Sequence, residues 1–247
     1  MRRLIACVLA SASAVGVGWG QAFEVASVRI NKSGARGGTM EFPPGHERFV
    51  MTNMGLGPLI LVAYNITVRQ LDGAELLGFE RYDIAAKAER PTTHDEMLAM
   101  LRRLLAKRFR LTVRRERREV PVYALTVAKG GPTLKPSRTA EKDGGTPLVP
   151  AHAGGSEAET GHLLFENESM SEFAWALSRT QATGDRVVVD QTALQGTFDF
   201  ELKWVREGAE GPSIFEALSE QLGLKLEPKK APVELVVIEH VERPTEN

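Results

Sequence analysis

Apolar residues recur at two periods along this chain, and the periods alternate in the same order twice. A short strand carrying Phe49 leads into a helix with apolar positions at Leu56, Leu59, Ile60 and Ala63. A strand carrying Phe165 leads into a helix with Met170, Phe173, Ala174 and Leu177 at the same spacing. Next come the strands "RYDIAAKA" and "TFDFELKW". A second helix then follows each, with the stripe Met97, Leu101, Leu104, Leu105 in one and Phe215, Leu218, Leu222 in the other. Thr93–Glu96, Ser213–Glu216 and Ser169–Glu172 read as capping boxes, in which hydroxyl and carboxylate satisfy the first free N–H groups of a helix. Gly223 suits the position just past a helix end.

Two strands are expected to close each unit: "RFRLTVRR" with "VPVYALTVAK", and "LKLE" with "APVELVVIEHV". "FEVASVRI" adds a strand before the first unit and "DRVVVD" one inside the second. The pattern predicts an α+β fold of two tandem β-α-β-α-β-β repeats, a mostly antiparallel sheet with helices packed on one face. Residue identities agree with a duplication. His46 and His162, Phe49 and Phe165, Met54 and Met170, and Asp83 and Asp199 are each 116 residues apart. Residues 136–160 are rich in Pro, Gly, Ser, Thr and charge and read as a flexible linker. The expected organisation is a leader over 1–22, an N-terminal repeat over 23–135, the linker over 136–160 and a C-terminal repeat over 161–247.

The leader changes the expected compartment. Arg2 and Arg3 precede an apolar run and then small residues, the order of a secretory signal peptide, with cleavage near Gly20 or Ala22. "LIAC" at Leu4–Cys7 stands too close to Met1 to serve as a lipidation box. Cleavage would remove Cys7, the single cysteine, and with it any disulfide or thiol chemistry. No later segment is long and apolar enough to span a bilayer. The expectation is an exported protein, periplasmic or extracellular.

The chain has 247 residues, 43% of them hydrophobic, enough for real cores, and its formal charge of −1 supplies no overall drive toward nucleic acid. Local charge matters more. Arg102, Arg103, Lys107, Arg108, Arg110, Arg114, Arg115, Arg117 and Arg118 form a basic run across a helix end and a strand. A solvated face explains most of it, since helix ends favour cations and Glu116 and Glu119 interleave. The livelier alternative is an interaction surface built on Arg102, Arg103, Arg110, Arg114, Arg115, Arg117 and Arg118. Its partner would be an envelope protein or an anionic envelope component, not nucleic acid.

No nucleophile elbow, S-x-x-K, zinc-binding or phosphate-loop motif occurs, so catalytic residues stay unknown and no cofactor is assigned. His94, Asp95 and Glu96 form the most catalytic-looking cluster, but successive residues in a helical first turn point apart, and capping explains them better. His46 and His162 lack further ligands for a metal, and no metal site is assigned. Asp83 and Asp199 alternate with apolar neighbours, which places them on a solvated face. The preferred reading is a non-enzymatic interaction or sensing module. The alternative is a hydrolase or small-molecule binder with its site in the cleft between the repeats.

"FEVASVR", "TNMGLGPLILVAYNI", "ERYDIAAKAE", "LLAKRFRLTVRRERREVPVYALTVAKGGPTLKPS", "VVVDQTALQGTFDFELKW" and the stretch from Gly211 to Asn247 resemble an uncharacterised domain-of-unknown-function family expanded in soil bacteria of the Acidobacteria type. The resemblance implies an exported location and one shared fold without an established activity. Some members are fused to membrane peptidases of the antibiotic-sensor type, which implies an extracytoplasmic sensing or interaction role. A fainter similarity joins "FEALSEQLGLKLE" to the small α+β modules of secretins and TonB-dependent receptors, which bind protein partners.

Overall fold

The computed structural model describes residues 22–41, 47–137, 160–184, 186–206 and 208–244. The expected leader up to residue 21, His46, and the linker from 138 to 159 lie outside them. In chain order the strands and helices are β1 (Val25–Ile30), β2 (Thr39–Glu41), β3 (Arg48–Met54), α1 (Leu56–Tyr64), β4 (Leu71–Asp72), β5 (Tyr82–Lys87), α2 (His94–Phe109), β6 (Thr112–Val127) and β7 (Lys135–Pro136), followed by β8 (Thr160–Ser169), α3 (Met170–Leu177), β9 (Val188–Asp190), β10 (Thr197–Val205), α4 (Ile214–Leu222) and β11 (Leu224–His240). The class is α+β, with four α-helices among the described residues and mostly antiparallel pairing.

Three sheets form: β1-β5-β3-β2, β7-β10-β8 and β4-β11-β6-β9. Thr93, Ser169 and Ser213 cap α2, α3 and α4 with complete capping boxes to Glu96, Glu172 and Glu216. α1 starts at Gly55 with no side-chain cap, as its Gly-Pro-rich entry suggests. At the other end of α4, Gly223 takes φ 64°, where it ends the helix and lets the backbone of Gly131 approach.

The closing strands differ from expectation. β6 and β11 are single strands of 16 and 17 residues, and they pair with each other, not within their own units. "RRERREVP" and "LEPKKAPV" contain no Gly, Asn or Asp that could turn the chain back, so each segment runs straight through. Three prolines are tolerated because of register. Tyr123, opposite Pro228, donates its N–H away from β11 to Val187 O at 2.9 Å. That pair is therefore of the non-hydrogen-bonded kind, and by two-residue alternation so are Pro121–Lys230 and Glu119–Pro232. No proline removes a bond from the β6–β11 ladder.

This ribbon joins the cores. On one face, Val113 and Ile238 pack at one end with Phe49, Leu59, Leu101 and Phe109, while Leu125, Leu224 and Leu226 pack at the other with Phe165, Phe173 and Leu218. On the opposite face, Val122, Ala231, Val233 and Leu235 form a third, smaller cluster with Val187 and Val189. Aromatic edges lock the first two: Tyr82 meets Phe109 at 5.1 Å between ring centroids, and Phe165 meets Phe173 at 5.2 Å.

The elements offer a second count beside the spacing of 116. β3 buries Phe49 and Met51, whereas β8 buries Leu163 and Phe165, and the helices begin at Leu56 and Met170. Counted between these positions the spacing is 114, two fewer than from Phe49 to Phe165. In a strand, a shift of two residues leaves every side chain on its original face, so the hydrophobic pattern cannot tell the two spacings apart.

Candidate functional site

The basic run is divided by the fold. On α2, Met100, Arg103, Leu104, Lys107 and Arg108 follow the i, i+3, i+4, i+7, i+8 rule and line one side of the helix. With Phe23, Glu24 and Ala26 they enclose a surface groove of about 280 Å³. Arg108 spans it structurally by donating to Ala26 O at 2.9 Å, which ties α2 to β1. No acid among the described residues pairs with Arg103 or Lys107. The result is a short apolar floor with two available cations and a single carboxylate, Glu24, along it.

Arg102 points elsewhere. It donates to Ala63 O at 2.6 Å and lies 6.0 Å from the Tyr64 ring, fastening α1 to α2. Burial raises the Tyr64 phenol pKa, and the nearby charges of Arg102 and Arg115 only partly oppose it. Arg110 ends α2 with φ 49°, a left-handed conformation.

The remaining arginines lie on the central ribbon, where acids neutralise most of them. Arg118 reaches Asp72 Oδ2 and Glu116 Oε1, both at 2.9 Å, and Arg114 reaches Glu116 at 2.5 Å and Glu239 at 3.4 Å. Hydrogen bonds from Arg114 and Arg118 hold the Glu116 carboxyl below its ordinary value. Arg115 pairs with Glu234, and Arg117 stands opposite that same glutamate, exposed. The ribbon is thus a solvated belt of largely compensated charge. Of the predicted surface, Arg103, Arg110 and Arg117 have no acidic partner among the described residues, and of these Arg103, with its neighbour Lys107, lines an apolar groove.

Other sequence candidates resolve into structural roles. Glu96 caps α2 and pairs with Arg90 at 2.7 Å; these hydrogen bonds, first from the Thr93 N–H, lower its pKa. His94 is half-buried, and burial lowers its pKa. Asp199 is exposed as expected, but Asp83 is half-buried, and each carboxylate accepts a backbone N–H, from Asn167 at 2.7 Å and Asn53 at 2.9 Å. Among the described residues no group of three or more His, Cys, Asp or Glu is placed to hold a metal ion.

Sequence reading missed a second groove of about 380 Å³, lined by Gly161, His162, Lys203, Trp204, Pro212 and Gln221. Its walls come from three distant segments. The one signal in the sequence was Gly161: a Cβ there would lie 2.0 Å from the Trp204 ring, so only glycine lets the indole lie against the strand. Beside it, Glu201 accepts from Lys203 and meets His162 Nε2, both at 2.7 Å, and the Lys203 hydrogen bond holds its carboxyl below the ordinary range.

By fold and site this is an α+β protein in which two helix-covered sheets are joined by a long antiparallel ribbon, with shallow mixed-polarity grooves at its surface. The chain belongs to the family described as "Protein of unknown function (DUF3738)", whose model matches residues 58–241. No curated protein and no solved structure matches it. No helix among the described residues is long and apolar enough to cross a membrane.

Proposed function

We propose that this protein is an exported, non-enzymatic interaction module that receives an acidic protein segment in the groove between β1 and α2. One observation carries the reading: the apolar floor of Ala26, Met100 and Leu104 lies beside Arg103 and Lys107, which have no acidic partner among the described residues and, unlike Arg108, are not tied to the Ala26 carbonyl. An apolar anchor would enter the floor while flanking carboxylates meet the cations, the arrangement in which charge supplies specificity and the buried side chain supplies affinity. Arg2 and Arg3 ahead of an apolar run support export.

We also infer that the two halves descend from one duplicated unit. Asn53 and Asn167 both take left-handed φ (51° and 56°) and donate their N–H groups to Asp83 and Asp199. Gly78 and Gly196 take positive φ ahead of β5 and β10. β4 and β9 each pair in parallel with the long strand of the other half. Val120 and Ala231, 111 residues apart like Pro121 and Pro232, face each other at the centre of the ladder, where an axis relating the halves would pass.

The test is fluorescence anisotropy with a labelled peptide carrying one Leu flanked by glutamates, against the same peptide with glutamines. Two exposed ion pairs at about 0.2–1 kcal/mol each predict that Arg103→Ala/Lys107→Ala weakens binding by roughly 2- to 30-fold, more at low salt than at high. Equal binding of the Glu and Gln peptides, or no effect of the double substitution, would overturn the reading. Charge-dependent binding to anionic phospholipid vesicles, with none to the peptide, would transfer the groove to a membrane surface.

A further inference from the structure

Strand β8 has one partner among the described residues, β10, and so presents a free edge. The groups facing that edge follow from the other side of β10. Lys203 donates its N–H to Gln221 Oε1 at 3.0 Å and accepts from Gln221 Nε2 at 2.7 Å, so its backbone points toward α4 and away from β8. Val205 likewise turns its N–H to Pro212 O at 2.9 Å. Lys203 stands opposite His162, which makes that pair non-hydrogen-bonded and turns the N–H and C=O of His162 outward. By alternation, Leu164 also offers both backbone groups to the free edge, and Glu166, exposed like it, follows at the start of the bulge opposite Asp199.

The side chains of these three residues share one exposed face, and Leu164 is 55% exposed. His162, Leu164 and Glu166 form a pattern that is its own complement when reversed. We propose that a second copy of this chain adds to this edge, β8 antiparallel to β8, with the two-fold axis at Leu164. Leu164 then faces Leu164 of the partner subunit, and His162 faces Glu166 of the partner subunit on each side. A register shifted by two residues would set histidine or glutamate against leucine. All three pairs fall at hydrogen-bonded positions of the new ladder, which joins the two three-stranded sheets into one of six strands. The corresponding edge of β3 is already filled in this way: Val50 and Thr52 take Glu41 and Thr39 of the antiparallel β2. Glu201 and Lys203, behind His162 on β10, and Asp199, opposite Glu166 and Asn167, are further charged groups close to the contact.

The experiment uses the full chain with Cys7→Ser, which removes the single native thiol. Leu164→Cys should give a disulfide-linked dimer under mild oxidation, because hydrogen-bonded antiparallel pairs stand about 5.5 Å apart between Cα atoms, within disulfide range. Val50→Cys, on the edge covered by β2, should give no disulfide-linked dimer. Sedimentation should show the mass of the unmodified chain doubling with concentration, and Leu164→Lys should keep it monomeric with an unchanged circular dichroism spectrum. A monomer at every concentration overturns the proposal, and so does a dimer that neither crosslinks through position 164 nor responds to Leu164→Lys.

Discussion

Asp83 offers the sharpest check on how this fold is held, because its carboxylate organises a backbone kink that the sequence pattern did not reveal. The pairing of β3 with β5 slips between Met51 and Met54. There Asn53, only 3% exposed, adopts φ 51°, and its N–H would be buried without a partner were it not for Asp83 Oδ1 at 2.9 Å. The same carboxylate accepts from Asn31 Nδ2 at 2.8 and 3.0 Å, while Asn53 Nδ2 donates to Ala35 O and Gly37 O, fastening the 31–37 segment to the sheet. Asp83→Ala removes a charge-assisted acceptor and leaves a buried donor unsatisfied. Together these cost about 2–4 kcal/mol, which for a chain of this size lowers Tm by roughly 4–16 °C. Asp83→Asn keeps one acceptor oxygen and should lose only about 1 kcal/mol. Urea unfolding followed by far-ultraviolet circular dichroism supplies both values. Asp199→Ala is the internal comparison, since among the described residues its exposed carboxylate accepts one hydrogen bond, from Asn167 N, and it should cost less than Asp83→Ala. An Asp83→Ala variant within 0.5 kcal/mol of the parent would refute the reasoning.

Other consequences can be checked on the same material. Ser178, fully buried, donates to Ala174 O at 2.8 Å and accepts from Val188 N at 2.7 Å, so Ser178→Ala strands a buried N–H and should cost about 1–3 kcal/mol by urea unfolding. The capping carboxyls of Glu96 and Glu216 have pKa values lowered in the folded chain, first by the backbone N–H groups of Thr93 and Ser213. A lowered folded pKa means that their contribution is complete above the ordinary carboxylate range and disappears as pH falls through the lowered value. The stability gap between the parent and Glu96→Gln/Glu216→Gln should therefore be widest near neutrality and close in acid; a gap that widened on acidification would contradict the assignment.

The helices were legible because their evidence is local. A capping box needs two residues three apart, and an apolar stripe needs a few turns, so α2, α3 and α4 could be placed from "THDE", "SMSE" and "SIFE" alone. Strand faces were legible as well, from alternation at Phe49, Met51, Tyr82 and Ile84. What each strand pairs with was not, since alternation states which side is buried and nothing about the neighbour along the sheet. For that reason "RFRLTVRR" and "VPVYALTVAK" read as a local pair when they share one strand.

The site divides along the same line. Composition and order alone determined that this chain carries a run of arginines, three capping boxes and an alternating β-pattern around "APVELVVIEHV". Only the tertiary structure decided which arginines are spent on Asp72, Glu116, Glu234 and Glu239, and which cations stay available beside an apolar floor. The partners come from strands and turns far apart in sequence, so compensation of charge is a property of three-dimensional proximity. The same holds for the edge of β8: its side chains can be read from "HLLFE", but which backbone groups are free depends on Gln221, whose amide turns Lys203 away.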